Sequence, residues 1–217
     1  VDPGSGGDRY LRASVLNQGT GTVDQPLAYD QSGSTFTNQG AVTLTQPMAA
    51  TGATLRNQAG SIDASGAGAV TVANGTLVQT GGSTSGNPVV VRNSTLTYGS
   101  PATGSSAVTA HQSVALGGDI PSGGTLVLEG VGCSYNTTVT AAGPVTSAGS
   151  IVLTSGGCGG TAATLATGGT FRNEGTVTAA PGTGGTRTID APLVENTGTL
   201  HLQTGAPITV SGDLDLG

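Results

Sequence analysis

The chain has 217 residues, of which 39 are Gly, 35% are apolar, 8% are charged and 3% are aromatic, with a formal charge of −6. Apolar residues spread evenly through so weakly charged a chain exclude the composition of a disordered protein. All six cations are Arg and none form a run, which excludes a phosphate-neutralising surface, and no apolar stretch approaches the ~20 residues of a membrane span.

The opening residues, VDPGSGGDRY, have no apolar core and do not form a signal peptide. The closing residues, SGDLDLG, stop inside a strand-like alternation. The chain is therefore expected to be a mature protein or a piece of a longer one.

Between these ends one frame recurs: apolar, any residue, Asn, any residue, Gly, Thr or Ser, apolar. It begins at Val15–x–Asn17–Gln–Gly19 and returns at Phe36–x–Asn38–Gln–Gly40 and Leu55–x–Asn57–Gln–Ala–Gly60. Val72–x–Asn74–Gly–Thr–Leu77 and Val91–x–Asn93–Ser–Thr–Leu96 follow. Gly124–Thr–Leu126 and Gly149–Ser–Ile151 keep only the second half, and the full frame resumes at Phe171–x–Asn173–Glu–Gly175 and Val194–x–Asn196–Thr–Gly198. Residues 94–124 break the rhythm.

Strand-like repeats of roughly 20–26 residues, rich in Gly, point to a solenoid. No window has the 3.6-residue period of a helix. The expected fold is all-β: a right-handed parallel β-helix of about nine coils, forming a single domain over residues 1–217 that is a segment of a longer surface protein. Residues at one frame position then stack from coil to coil at about 4.8 Å.

The register assigns chemistry. Val15, Phe36, Leu55, Val72, Val91, Phe171 and Val194 form the expected core stack. Asn17, Asn38, Asn57, Asn74, Asn93, Asn173 and Asn196 form an expected ladder, because a side-chain amide both donates and accepts. The Gly after each Asn is expected to relieve a tight bend. Gln18, Gln39 and Gln58 should form a second, external ladder. Arg172 and Glu195 should stack as an exposed ion pair.

Cys133 lies nine residues after Gly124, and Cys158 nine after Gly149. The two occupy one position in adjacent coils, within the Cα separation of roughly 4.4–6.8 Å that a disulfide needs. A Cys133–Cys158 bridge is expected, and with it an oxidising, extracellular or cell-surface location.

The Asn-x-Gly sites resemble the haemagglutinin-type repeats of large secreted bacterial adhesins, which read roughly L-x-N-x-G-x-I. The resemblance covers most of the chain. It implies a right-handed parallel β-helix acting as a surface-exposed, rod-like module. The chain departs from the family in its uneven coils, its cysteine pair and its Thr and Ala content.

Catalytic patterns are scarce. His111 and His201 have no neighbouring Cys or carboxylate pattern, so no metal site is expected. A chain without Lys has no P-loop and no Schiff base. A polysaccharide lyase or hydrolase would need clustered carboxylates, whereas Asp2, Asp8, Asp24, Asp63, Asp119, Glu129, Asp190 and the others are scattered. Asp24 and Asp63 fall near each other in the frame, two coils apart, and Asp213 with Asp215 reads as edge shielding. An ice-binding solenoid is the second alternative. It rests on the column Ala41, Ser61, Thr76, Thr95, Thr125, Ser150, Thr176 and Thr199, which β-propensity on an exposed strand also explains. Tyr98 and Tyr135 are of a type that stacks on sugars, but four Tyr and no Trp supply a carbohydrate platform poorly, and isolated exposed Tyr is the favoured reading. Asn74, Asn93 and Asn136 match the glycosylation sequon, the first two being better explained by the ladder.

The sequence thus leads to a non-catalytic structural or adhesive segment without cofactor or metal. Its expected partners are copies of itself or host and cell-surface glycans. Neither nucleic acid binding nor membrane insertion is expected.

Overall fold

The structure, a computed structural model, describes residues 9–99 and 104–217. The acids Asp2 and Asp8 lie outside the described residues. No helix occurs among them; the chain winds as the expected parallel β-solenoid. It divides into two compact units, Val1–Val108 and Thr109–Gly217.

Each turn of the first unit has three short strands. Leu27–Tyr29, Met48–Thr51 and Val70–Ala73 stack in parallel on the first face. Val15–Asn17, Thr35–Asn38, Thr54–Asn57 and Thr76–Gln79 stack on the second. Thr20–Val23, Ala41–Leu44, Ser61–Ala64 and Ser83–Gly86 form the third. The ten-residue strand Val89–Tyr98 bends from the first face onto the second, with Val91 beside Val72 and Leu96 beside Leu77.

The second unit repeats this plan. On its first face Val114, Val139, Leu165, Ile189 and Val210 stack in register. Val145, Phe171, Val194 and Leu214 stack on the second face, and Leu126, Ile151, Val177 and Leu200 on the third.

Period-2 alternation explains why the strands form where they do. Thr35–Asn38, Ala41–Leu44, Thr54–Asn57 and Ser61–Ala64 each turn alternate residues inward. Leu55, Leu77, Leu96, Leu126, Ile151 and Phe171 are essentially inaccessible. Each such side chain is worth about 1.5–3 kcal/mol of burial.

The core stack of the first unit differs from the sequence expectation. The column runs Val15, Phe36, Leu55, Leu77, Leu96. Val72 and Val91 are buried too, but on the first face, in the column Tyr29, Ala50, Val72, Val91. The frame had slipped by one strand, because apolar–x–Asn describes two different corners of the coil.

Candidate functional site

At the corner between the second and third faces, Asn17 Nδ2 donates to Asn38 Oδ1 at 2.8 Å, and Asn38 Nδ2 donates to Asn57 Oδ1 at 3.0 Å. Each amide also donates to a backbone carbonyl one coil on, Ala41 and Ser61 respectively. The last rung is Gln79, whose Oε1 accepts from Asn57 at 3.3 Å and whose amide donates to the Gly82 carbonyl; Tyr98 takes the next position in register. In the second unit Asn173 Nδ2 donates to Asn196 Oδ1 at 2.7 Å and to the Thr199 carbonyl at 3.0 Å.

Asn74 and Asn93 do not belong to this ladder. They sit at the corner between the first and second faces, with φ of 52° and 49°. The strand register sets them beside Gly52 and Gly33, whose φ values are 67° and 76°. Asn is there because it tolerates the left-handed region better than other non-Gly residues. Both are exposed.

The Gly that follows each ladder Asn has another physical reason than the one expected. Gly40, Gly60, Gly175 and Gly198 do not adopt positive φ. A Cβ on Gly40 would overlap the carbonyl oxygen of Gly19, and one on Gly60 that of Gly40. The same holds for Gly175 over Gly149 and Gly198 over Gly175. These glycines sit at bends, but it is close stacking rather than a left-handed backbone that requires Gly there.

Exposed contacts join the coils as well. Gln18 donates to Gln39, and Gln39 to Gln58, each at 3.2 Å. Arg172 Nη2 lies 2.6 Å from Glu195 Oε2 on adjacent strands. Cys133 and Cys158 form a disulfide with their Cα atoms 4.7 Å apart, both residues exposed. The bridge ties together two successive loops at the corner between the third and first faces of the second unit.

The next loop at that corner is held differently. Arg187 is buried to 2% exposure. Its Nε donates to the Ala180 carbonyl at 3.1 Å, its Nη1 to the Gly184 and Gly185 carbonyls at 2.9 and 2.6 Å, and its Nη2 to Ser155 Oγ at 3.3 Å. Burial lowers its pKa.

Other assignments change with the register. His111 is not alone: its Nε2 lies 3.1 Å from Glu129 Oε2. The two are 18 residues apart, and directly after His111 the chain turns at Gln112 with φ 63°, without a Gly to mark it. Asp24 and Asp63 do not share a column. Asp63 pairs with Thr43, while Asp24 accepts from Thr45 Oγ1 at 3.1 Å. Asp213 and Asp215 share the strand Ile208–Asp215, opposite Leu193 and Glu195. His201 is exposed. Tyr98 is buried, which removes it as a sugar platform and pushes its phenol pKa up to about 12; Tyr135 is 57% exposed. Asn136 is exposed, and its Oδ1 accepts from the Ala162 backbone N–H.

The threonine column also divides. In the second unit Thr125, Ser150, Thr176 and Thr199 are in register. Ala41 and Ser61 continue to Ser83, whereas Thr76 and Thr95 belong with Thr35 and Thr54 on another face. Among the described residues no group of three or more His, Cys, Asp or Glu is placed to hold a metal ion. No described helix is long and apolar enough to cross a membrane. No family model, no curated protein and no solved structure matches this chain.

Proposed function

We propose that the chain is a non-catalytic structural or adhesive segment of an extracellular or cell-surface protein, similar in kind to the haemagglutinin-type β-helices. One observation carries the reading: the polar groups that stand out in the sequence join one coil to the next. The Asn ladders, the Gln ladder, the Arg172–Glu195 pair and the disulfide are all contacts of this type. Stability then accumulates turn by turn, as in repeat proteins. The disulfide supports an oxidising environment.

The outward columns suit a low-charge surface that adheres to copies of itself or to glycans. The test is binding of the purified chain to itself by sedimentation and to immobilised cell-surface glycans. Saturable binding to either supports the reading. Turnover of a polysaccharide by the chain would replace it with the lyase or hydrolase alternative.

Ice binding retains a specific observation in the two aligned threonine columns. Their neighbouring columns are mixed, however: Thr37, Arg56, Val78 and Thr97 in one unit, and Val127, Val152, Thr178 and His201 in the other. Measurable thermal hysteresis would favour it over adhesion.

A further inference from the structure

We propose that the first two turns of the first unit hold a subsite for one hexopyranose ring of a glycan, formed by Tyr10, Arg12 and Asp30. The proposal deepens the adhesive reading by naming a contact point, and rests on it for the class of partner.

Three side chains are fixed in line at the surface. The Arg12 guanidinium stacks over the Tyr10 ring, 4.6 Å from its centroid. The same guanidinium donates from Nε to Asp30 Oδ1 at 3.0 Å and from Nη2 to Asp30 Oδ2 at 3.2 Å. Tyr10 is nonetheless 52% exposed. An exposed ion pair of this kind is screened by solvent and adds little to stability, so folding alone gives little reason for the arrangement.

Two shallow grooves lie at these residues, Tyr10 lining one and Arg12 the other. On the Tyr10 side lies an apolar groove of about 200 Å³, lined by Pro26, Ala28 and Pro47 among others and bordered by Arg9. On the Arg12 side lies a polar groove of about 310 Å³ lined by Ser14, Gln31 and Ser34 among others. In a chain with only six cations, two of them, Arg9 and Arg12, border this one place.

A pyranose has the matching chemistry. Its C–H face packs on an aromatic ring and apolar walls. Its adjacent hydroxyls both donate and accept, which suits a carboxylate, a guanidinium edge, an amide and serine hydroxyls placed side by side. Because Arg12 and Asp30 are already paired, these groups are oriented before a ligand arrives, which lowers the ordering cost of binding. One groove falls below and the other at the lower end of the roughly 300–1,000 Å³ typical of ligand pockets, which suits one ring of a longer glycan and weak binding.

The test uses the whole chain and saturation-transfer NMR with methyl mannoside, methyl galactoside, N-acetylglucosamine and glucuronic acid. The first three probe a neutral sugar and the last an acidic one. At least one should bind. Tyr10→Ala should weaken it by about tenfold, the size of a lost stacking contact. Tyr10→Phe should retain it, showing that the ring rather than the fold is being read, and Tyr135→Ala should leave it unchanged. The proposal is overturned if none of the sugars binds, if Tyr10→Ala binds as tightly as the parent chain, or if a proline-rich peptide occupies the grooves in their place. Adhesion of the Tyr10→Ala chain to immobilised glycans at parental strength would remove this subsite while leaving the adhesive reading standing.

Discussion

Asn38 and Asn57, neither measurably exposed, share a hydrogen bond of 3.0 Å between side chains that lie 19 residues apart in sequence. The bond completes a run in which Asn38 also accepts from Asn17. Replacing Asn38 by Ala leaves the buried Asn57 acceptor without its partner, removes the donor to the Ser61 carbonyl and takes one of two acceptors from the half-buried Asn17 amide. Each such group costs about 1–3 kcal/mol. Asn38→Ala should therefore lower unfolding free energy by about 2–5 kcal/mol in a denaturant titration, and Asn57→Ala should do likewise.

Asn74 should behave in the opposite way despite its matching motif. At φ 52° it occupies a conformation that Gly adopts freely. Asn74→Gly should change stability by no more than about 0.5 kcal/mol, while Asn74→Ala should cost about 1 kcal/mol or more. A large loss in the glycine variant would return Asn74 to the ladder.

The Cys133–Cys158 bridge closes a span of 25 residues. A loop of that size is worth about 3–4 kcal/mol through restriction of the unfolded chain. The double Cys→Ser variant should lose stability of that order, and reductant should have no further effect on it.

Arg187→Met removes a cation whose four donor contacts run to three carbonyls and a hydroxyl, with no carboxylate among them. Those acceptors would then be left short of partners, at a cost of about 2–4 kcal/mol. Arg187→Lys should recover only part of it, since an ammonium cannot span the same fork of acceptors. Hydrogen exchange should rise first in residues 180–186.

Tyr98 predicts an alkaline limit. Burial raises its phenol pKa from 10 to about 12 in the folded chain. The unfolded phenol ionises near 10, so this contribution is fully present below that pH and is lost as pH rises toward 12. The loss should approach about 2–3 kcal/mol. Tyr98→Phe should flatten the pH dependence of unfolding in that window.

The parts of the fold that could be read from sequence follow from repetition. Asn17, Asn38 and Asn57 carry the same neighbours in successive coils, and Cys133 and Cys158 keep the same offset from Gly124 and Gly149, so their stacking was legible. Asn74 and Asn93 misled because two corners of one coil accept the same residue for different reasons, one for its amide and the other for its backbone. Gly33 and Gly52 hid the equivalence, since they solve the same backbone problem without a side chain. The Asn ladder likewise continues to Gln79, where a motif search stops. His111 and Glu129 escaped because Gln112 turns the chain where no Gly or Asn announces a corner. Tyr10, Arg12 and Asp30 come together only through the register of the first coil on the second.

The glycines stacked at the ladder corner have a consequence for how such a chain can change over generations. Gly40 over Gly19 and Gly60 over Gly40 leave no room for a Cβ, so point changes there are barred. A deletion of one residue inside a strand would turn that strand's remaining side chains to the opposite face. Removing the 19 residues from Gln39 to Asn57, in contrast, rejoins one Asn rung to the next position in register. Duplication or loss of whole turns is the form of inherited variation this architecture admits most readily, and the length of such a protein should vary in steps of a coil.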